Sequence, residues 1–366
     1  MSPNTKPAGS AAVPSPVSST PSRRSFVIGA AGLALGAAPA LSFLEACGQS
    51  APGASTNTTS GPPVTIRLGH HHPPGGQIDV YAQAFASAVN KKTNGQATVT
   101  VFPGAQLGAE ADAVKGVAQG TLQMTVGSSP FLVDYVKEMG TEQLPFLFDS
   151  WEQALHLFEG PLAAEINKRI EAGSNVKGLA WLTFGWRDMY FKAGAVSDIA
   201  GMKGLKMRAP AIDFYVKMFE ALGSKPTTIT FSEVYTALQS GVVAGLENPL
   251  QVVIDNKFYE VCKYCTTSQH MFGTITHWTN KQFFNGLPAN VQKAVVDAAK
   301  EAVHTSNLQY RKDETNAFDK LKGLGVSFVD LKDRAVWKTA MQPLIKDWVT
   351  AKPGAHGLID IINKNK

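Results

Sequence analysis

From residue 64 onward, the hydrophobic positions of the chain follow regular periods. Val64, Ile66 and Leu68 alternate with polar residues, which predicts a short strand. The next apolar positions recur at helical spacing and end at Asn94-Gly95; they are Tyr81, Ala84, Phe85, Ala88 and Val89. A strand followed by an amphipathic helix is therefore predicted from residue 64.

The same succession continues along the chain. We predict further strands at 98–102, 121–126, 176–184 and 205–208, and helices at 109–119, 212–222, 230–241 and 289–322. Thr230 and Glu233 have the spacing of a capping box at the start of one helix. The segment 144–148 is apolar but contains Pro145, which predicts a buried connection. Alternating strands and helices favour an α/β fold with parallel pairing.

An apolar segment of a different kind, 26–44, follows Arg23 and Arg24. This arrangement is typical of a twin-arginine export signal, and a permanent membrane span is the alternative. Ala38-Pro-Ala40 fits ordinary signal cleavage, whereas 44–47 resembles a lipobox in which Cys47 becomes the lipidated first residue.

We therefore predict a signal peptide at 1–46 and a flexible tether at 47–63, which is rich in Gly, Ser, Thr and Pro. The mature protein would lie in the periplasm or on the outer face of the cytoplasmic membrane, either free or held by a lipid on Cys47. Export would use the twin-arginine pathway.

Composition agrees with an exported two-lobed protein. The 366 residues, 44% of them hydrophobic, exceed what one core usually organises. The formal charge is +5, and loss of the predicted signal, with its three basic residues and one acid, leaves +3. A charge this small, with no Lys/Arg run, argues against a nucleic-acid partner.

Cysteine and histidine patterns leave several interpretations open. Cys262 and Cys265 form a C-x-x-C pair, for which two buried thiols, a local disulfide, and a redox or metal role are the alternatives. Three consecutive histidines, 70–72, point in different directions, so a loop at the mouth of a cleft is favoured over a metal site, with His71 as a candidate ligand contact. No metal or cofactor is expected, and we find no hydrolase or phosphate-binding motif outside the signal.

Six phrases occur in an order that resembles the solute-binding proteins of tripartite ATP-independent periplasmic (TRAP) transporters, of the dicarboxylate-binding type. They are FPGAQLG at 102–108, LPFLF at 144–148, GWR at 185–187, MKGLKMRAP at 202–210, FSEVYTALQ at 231–239 and ENPL at 247–250. The resemblance extends from about residue 64 to the C-terminus. It implies a two-lobed, periplasmic-binding-protein-like (type II) α/β fold with discontinuous lobes and a long helix spanning both.

The resemblance also implies where the lobes begin and end. The first lobe would comprise 64–184 plus 275–313, and the second lobe would comprise 185–274 plus 314–366. The strands that connect the lobes would then lie near Phe184 and Gly273.

The resemblance further implies the binding residues. Arg208 matches the arginine that forms a salt bridge with the ligand carboxylate, and Arg187 matches a second arginine at the cleft. Asn248 matches an asparagine that positions the same carboxylate, and Phe231 matches an aromatic residue beside the ligand. Trp186 is a further candidate contact, with core packing as the alternative.

The position of Arg208 supports this assignment independently. Arg208 ends a predicted strand, and ligands bind at that edge of open α/β sheets. Its planar guanidinium can bind a carboxylate through two parallel hydrogen bonds. Two departures from the family pattern, Ala244 and Leu246, remove polar groups and argue against a polyhydroxylated ligand.

We therefore expect a monomeric extracytoplasmic binding protein rather than an enzyme. It would capture a small organic carboxylate between closing lobes and deliver it to the small and large membrane subunits of a TRAP transporter. A ligand-binding sensor subunit for a membrane receptor, or an exported enzyme acting on an organic acid, are the alternatives.

Overall fold

The computed structural model describes residues 61–366, in which strands and helices alternate. The strands are β1 Val64–His70, β2 Ala97–Phe102, β3 Met124–Gly127, β4 Val176–Phe191, β5 Lys206–Ala209, β6 Lys225–Thr228, β7 Gly245–Pro249, β8 Tyr264–Asn280 and β9 Ser327–Asp330. The helices are α1 Gln77–Lys92, α2 Glu110–Gln119, α3 Trp151–Phe158, α4 Pro161–Gly173, α5 Ile199–Met202, α6 Asp213–Ala221, α7 Val234–Gln239, α8 Leu250–Asp255, α9 Lys281–Asn285, α10 Ala289–Gly323, α11 Arg334–Ala351 and α12 Ala355–Asn363.

The signal predicted at 1–46, Cys47 and most of the tether predicted at 47–63 lie outside the described residues. Within 61–366, none of the helices combines the length and the apolar character that a membrane crossing requires.

The described strands form one mixed sheet in the order β2-β1-β3-β8-β4-β7-β5-β6, with β9 paired to β8. At one end β1 to β3 pair in parallel, and we call them the first half-sheet. At the other end β5 pairs in parallel with β6 and β7, and we call these three the second half-sheet. The long antiparallel strands β4 and β8 lie between the half-sheets and connect them.

Most of the predicted strands and helices are present to within a few residues, whereas the strands β6, β7 and β9 have no counterpart in the sequence prediction. Parallel pairing is confirmed within the half-sheets but is wrong for the pairs β3–β8, β8–β4 and β4–β7, which are antiparallel because β4 and β8 run in opposite directions between the half-sheets. The strand predicted to end at Phe184 continues to Phe191. The capping box is absent, since the Thr230 side chain makes no capping bond and a 3₁₀ turn at Phe231–Glu233 precedes α7.

The 35-residue helix α10 supports both halves of the fold. It contacts α1, β4 and α8. Near its N-terminus, Val291 and Val303 are buried in the larger apolar cluster; near its C-terminus, Ala317 and Leu321 are buried in a smaller cluster around α7, β7 and α8. The long helix that the resemblance implies is therefore present.

The strands β4 and β8 are irregular where they pass between the half-sheets. The register of their pairing shifts between Thr183 and Gly185 and again between Arg187 and Met189. Gly185, with φ +93°, lies opposite Gly273, and a Cβ on Gly185 would overlap Glu314 Oε1 of α10. Such bulges bend a strand and change the direction of its side chains.

The C-terminal helices divide between the two halves of the fold. Helix α11 packs on α6, whereas α12 packs on α4. Arg169 of α4 donates to the Gly354 carbonyl at 2.6 Å, and Gln153 of α3 donates to the Ile362 carbonyl at 3.3 Å. The last residues therefore lie against the half that contains α3 and α4, although the sequence assigns all of 314–366 to the second lobe.

Cys262 and Cys265 are free thiols, and both are fully buried. Burial raises the pKa of Cys262 to about 12. A thiol of this kind is a poor nucleophile at neutral pH, so of the alternatives from sequence, the pair of structural thiols agrees with the structure.

Candidate functional site

One cavity lies between the two half-sheets, beside the centre of β4. The first part of the chain contributes His71, His72, Glu110, Ser128 and Gln143; β4, β7 and β8 contribute Phe184, Arg187, Asn248, Thr274 and Ile275; and the remaining lining residues are Arg208, Pro210, Ile212, Tyr215, Phe231 and Val252. The structure therefore brings together five of the six binding residues that the sequence predicts.

Arg208 is a buried cation without an acidic partner. Its side chain lies at the end of β5 and the residue is only 4% exposed. Nε and Nη2 donate to the Ile229 carbonyl at 3.1 and 2.9 Å, which leaves three of its five N–H groups available. Among residues 61–366, no carboxylate lies within 4.0 Å of it. Burial lowers the pKa of Arg208 to about 10, so the guanidinium stays charged at neutral pH.

Arg187 has a carboxylate partner inside the protein. Its Nε donates to Glu247 Oε2 and its Nη2 donates to Glu247 Oε1 at 2.7 Å, while Glu247 is fully buried. Burial alone would lower the pKa of Arg187, but the adjacent Glu247 carboxylate raises it above its ordinary value. Asp188, the next residue along the chain, is not the partner of Arg187 and accepts instead from the Gln269 amide at 2.9 Å.

Asn248 uses only one of its two side-chain amide atoms in bonds among the described residues. Its Oδ1 accepts from Arg187 Nη2 at 3.2 Å, whereas its Nδ2 is buried and has no partner among the described residues. It lies in β7 opposite Asp188, just before Pro249, in the extended conformation that a following proline favours. Asn248 can therefore donate to a ligand while Arg187 fixes its orientation.

Three aromatic rings meet across the cavity. The rings of His71 and His72, which follow β1, lie 5.1 and 5.3 Å from the ring of Phe231, which follows β6. The guanidinium of Arg208 lies 5.8 Å from the same phenyl ring. Burial lowers the pKa of His71 to about 3, so this imidazole is neutral at physiological pH. The rings close the space between the halves without adding charge.

Trp186 does not line the cavity. Its ring lies 5.1 Å from that of Phe272, and its backbone amide donates to Glu314 at 2.7 Å. Simple alternation along a strand places Phe184 and Trp186 on one face, yet Phe184 lines the cavity together with Arg187. The irregular pairing at Gly185 breaks the alternation, and Trp186 is a packing residue.

A second buried polar cluster lies near β4 but outside the cavity. Asp188 and Glu314, which we call the carboxyl pair, accept hydrogen bonds from the Gln269 amide and from the Trp186 amide and Trp151 indole, respectively. Burial raises the pKa of each carboxyl to about 7.

Several lining residues are absent from the sequence prediction. Glu110, the first residue of α2, accepts from the Ser128 amide and hydroxyl at 2.8 and 2.6 Å. The Tyr215 hydroxyl donates to Gln143 Oε1 at 3.4 Å, across the cavity. The signal that could have identified Glu110 is an acid at the start of a predicted helix, next to a strand end. Gln143 and Tyr215 carry no such signal.

The two departures from the family pattern do not concern the cavity wall. Leu246 is fully buried in the smaller apolar cluster, and neither Ala244 nor Leu246 lines the cavity. The sequence argument against a polyhydroxylated ligand therefore has no support in the structure. Within 61–366, no group of three or more His, Cys, Asp or Glu residues is arranged to hold a metal ion.

Fold and cavity together define a two-lobed binding protein, and comparison with known proteins identifies its family. Residues 68–351 match the family described as bacterial extracellular solute-binding protein, family 7. The chain belongs to this family, which confirms the resemblance found in the six phrases.

Relatives and a solved structure agree. A solute-binding protein of Verminephrobacter eiseniae is 35% identical over 265 residues, 72% of this chain and 79% of that protein. The C4-dicarboxylate-binding periplasmic protein DctP of Rhodobacter capsulatus is 30% identical over 305 residues, 80% of this chain and 89% of that protein. A TRAP periplasmic solute-binding protein from Xanthobacter autotrophicus, crystallised with bound β-D-galacturonate, is 28% identical with a TM-score of 0.78, covering 82% of this chain and all of that one. The chain is thus a solute-binding protein of a TRAP-type transporter, related to binding proteins rather than to enzymes.

Proposed function

We propose that the cavity captures a small organic acid by its carboxylate, with Arg208 as the anchor. The observation that carries this proposal is a buried, charged guanidinium with unused donors and no acid within 4.0 Å in the described chain. An unpaired buried charge is costly, and a ligand carboxylate would remove that cost while forming charge-assisted hydrogen bonds.

Arg187 and Asn248 complete the anchor. Because Glu247 already neutralises Arg187, the two arginines together offer about one uncompensated positive charge. Arg187 Nη1 and Asn248 Nδ2 remain as donors beside it. One ligand carboxylate therefore balances the charge of this group and occupies its free donors.

Binding between closing lobes follows from the same arrangement. We place the first lobe at 64–184 plus 275–313 and the second at 185–274 plus 314–366, with the exception that α12 packs against the first. Supporting this division, β4 and β8 connect the half-sheets, and glycines 185 and 273 are paired where they do so. Separation of the lobes would admit the ligand, and the closed form would be presented to the membrane subunits.

Export and anchoring belong to the same proposal. Arg23 and Arg24 before an apolar run support twin-arginine export, and Cys47 followed by a polar tether supports a lipid anchor on a monomeric protein. Mass spectrometry of the mature N-terminus decides between lipid-modified Cys47 and an unmodified chain that begins after Ala40.

The anchor is tested by calorimetric titration of small acids first selected in a thermal-shift screen. Arg208→Ala is expected to weaken binding by at least about 2 kcal/mol, because the ligand carboxylate is left desolvated and unpaired. The unliganded variant should be no less stable than wild type, since the substitution removes an unpaired charge. Arg67→Ala, an exposed arginine on β1, is the control. Unchanged affinity in Arg208→Ala would refute the proposal.

A further inference from the structure

The cavity also contains an acid whose function the anchor does not explain. Glu110 lines the cavity, and its side chain is only 15% exposed. Both Ser128 donors bind Oε1, so Oε2 has only His71 Nε2, 3.4 Å away. No lysine or arginine lies within 4.0 Å of Glu110 in the described part of the chain. A carboxylate oxygen with spare capacity to accept therefore faces the ligand space.

His71 adds a second polar group beside this acid. Its imidazole is neutral and therefore carries one N–H donor and one acceptor lone pair, with Nε2 3.4 Å from Glu110 Oε2. Nδ1 is buried and has no partner among residues 61–366. The Glu110 side of the cavity thus accepts hydrogen bonds, whereas the side formed by Arg208 and Asn248 donates them.

Such a cavity distinguishes between the two ends of a ligand. A carboxylate fits the donors, and a hydroxyl fits the acceptors. A second carboxylate in the same place would meet the Glu110 carboxylate, which has no lysine or arginine within 4.0 Å among the described residues, and like charges brought together in a desolvated site weaken binding strongly.

We infer that Glu110, assisted by His71, determines specificity: it favours monocarboxylates that carry hydroxyl groups distant from the carboxylate, and it excludes dicarboxylates of the same length. The inference rests on the proposed function, because it takes Arg208 as the carboxylate anchor. Among the relatives, it places the ligand of this chain with hydroxylated acids such as galacturonate rather than with C4-dicarboxylates.

Two matched ligand pairs test this specificity. Threonate and tartrate share a four-carbon chain, gluconate and glucarate share a six-carbon chain, and within each pair a terminal CH₂OH is replaced by a carboxylate. At pH 8, wild type is expected to bind at least one of the two monocarboxylates, and to bind it about tenfold or more tighter than its dicarboxylate partner. Glu110→Gln should reduce this ratio about tenfold, mainly by improving dicarboxylate affinity. Asp112→Asn, an exposed acid on the same helix, should leave the ratio unchanged.

The pH dependence of ligand affinity in the wild-type protein is a second test, and it can be measured even if the Glu110 variant does not fold. The titratable groups that face Glu110 are His71, Arg187, Arg208 and Tyr215, and none of them changes charge between pH 5 and 8. Burial raises the pKa of Glu110, so dicarboxylate affinity should rise as the pH is lowered and Glu110 takes up a proton. The affinity for the monocarboxylate should change much less.

The outcomes separate this inference from the proposed function. If Arg208→Ala abolishes binding but Glu110→Gln leaves the ratio and its pH dependence unchanged, the specificity inference fails and the anchor stands. If Arg208→Ala retains full affinity, the anchor itself fails. Equal binding of both members of a pair, or no binding of either monocarboxylate by wild type, overturns the role of Glu110.

Discussion

The cavity and the carboxyl pair are two buried polar regions beside strand β4. They differ in whether their polar atoms have hydrogen-bond partners inside the protein. In the cavity, Arg208 and Asn248 have donors with no partner in the described chain. In the carboxyl pair, backbone amides and an indole bind Asp188 and Glu314, and neither acid lines the cavity. Both regions are desolvated, so the available donors, rather than burial, distinguish a binding site from a structural element.

The contrast extends to the two arginines within the cavity. Arg187 is held by Glu247 and therefore belongs partly to the structure, whereas the hydrogen bonds of Arg208 within residues 61–366 go to one backbone carbonyl. Under the proposed function, one arginine is a fixed support for Asn248 and the other is the charge that a ligand neutralises. Three experiments test these contrasts, one on the arginines and two on the carboxyl pair.

The largest effect is expected from removing the internal partner of Arg187. Glu247→Ala leaves a buried guanidinium unpaired, which should lower the free energy of unfolding of the unliganded protein by about 3–5 kcal/mol. Chemical denaturation measures the change. Glu152→Ala, which breaks an exposed ion pair with Arg311, should cost less than about 1 kcal/mol. A similar small loss for Glu247→Ala would mean that the two arginines are equivalent.

A smaller loss of stability is expected from a substitution at Gly185, where the pairing of β4 is irregular. Gly185→Ala forces a side chain into a backbone with φ +93° and against Glu314 and Trp151. We expect a loss of about 1–3 kcal/mol in thermal or chemical unfolding. Gly194→Ala, at φ +78° with open space around it, controls for backbone strain alone. If the two variants lose the same stability, contact with the carboxyl pair contributes nothing.

The last effect, the smallest over any single pH unit, is a slope in the pH dependence of stability. The pKa of Glu314 is raised to about 7 by burial, whereas an unfolded glutamate releases its proton near pH 4. Between these values the folded state binds more protons than the unfolded state, so this residue makes stability fall as the pH rises from about 4 to 7. The slope is at most about 1.4 kcal/mol per pH unit for one group.

Glu314→Gln removes that titration. Unfolding measured from pH 5 to 8 should therefore show a shallower decline in the variant than in wild type, with ligand affinity at pH 7 unchanged. If the curves of unfolding free energy against pH are parallel for wild type and variant, Glu314 does not titrate in this range. Altered ligand affinity in the variant would mean that the carboxyl pair contributes to ligand binding.

Much of this architecture is predictable because it depends on local pattern. The first half-sheet follows from alternating apolar residues, whereas of the second half-sheet only β5 does. Arg208 could be identified because it lies near the end of a strand within a family phrase. Trp186 could not be placed, since its direction depends on a register shift between β4 and β8 rather than on its own neighbours. Glu247 and Glu110 were missed because their roles require residues 60 and 18 positions away.

The contact between His71, His72 and Phe231 has a consequence for kinetics. A ligand enclosed beneath these rings can dissociate only after the rings separate. Its dissociation rate constant should therefore follow the frequency with which the protein opens rather than the strength of any single hydrogen bond. Residence time and equilibrium affinity would then respond to different substitutions. Substitutions of His71, His72 or Phe231 would shorten the residence time, and substitution of Arg208 would chiefly alter the equilibrium affinity.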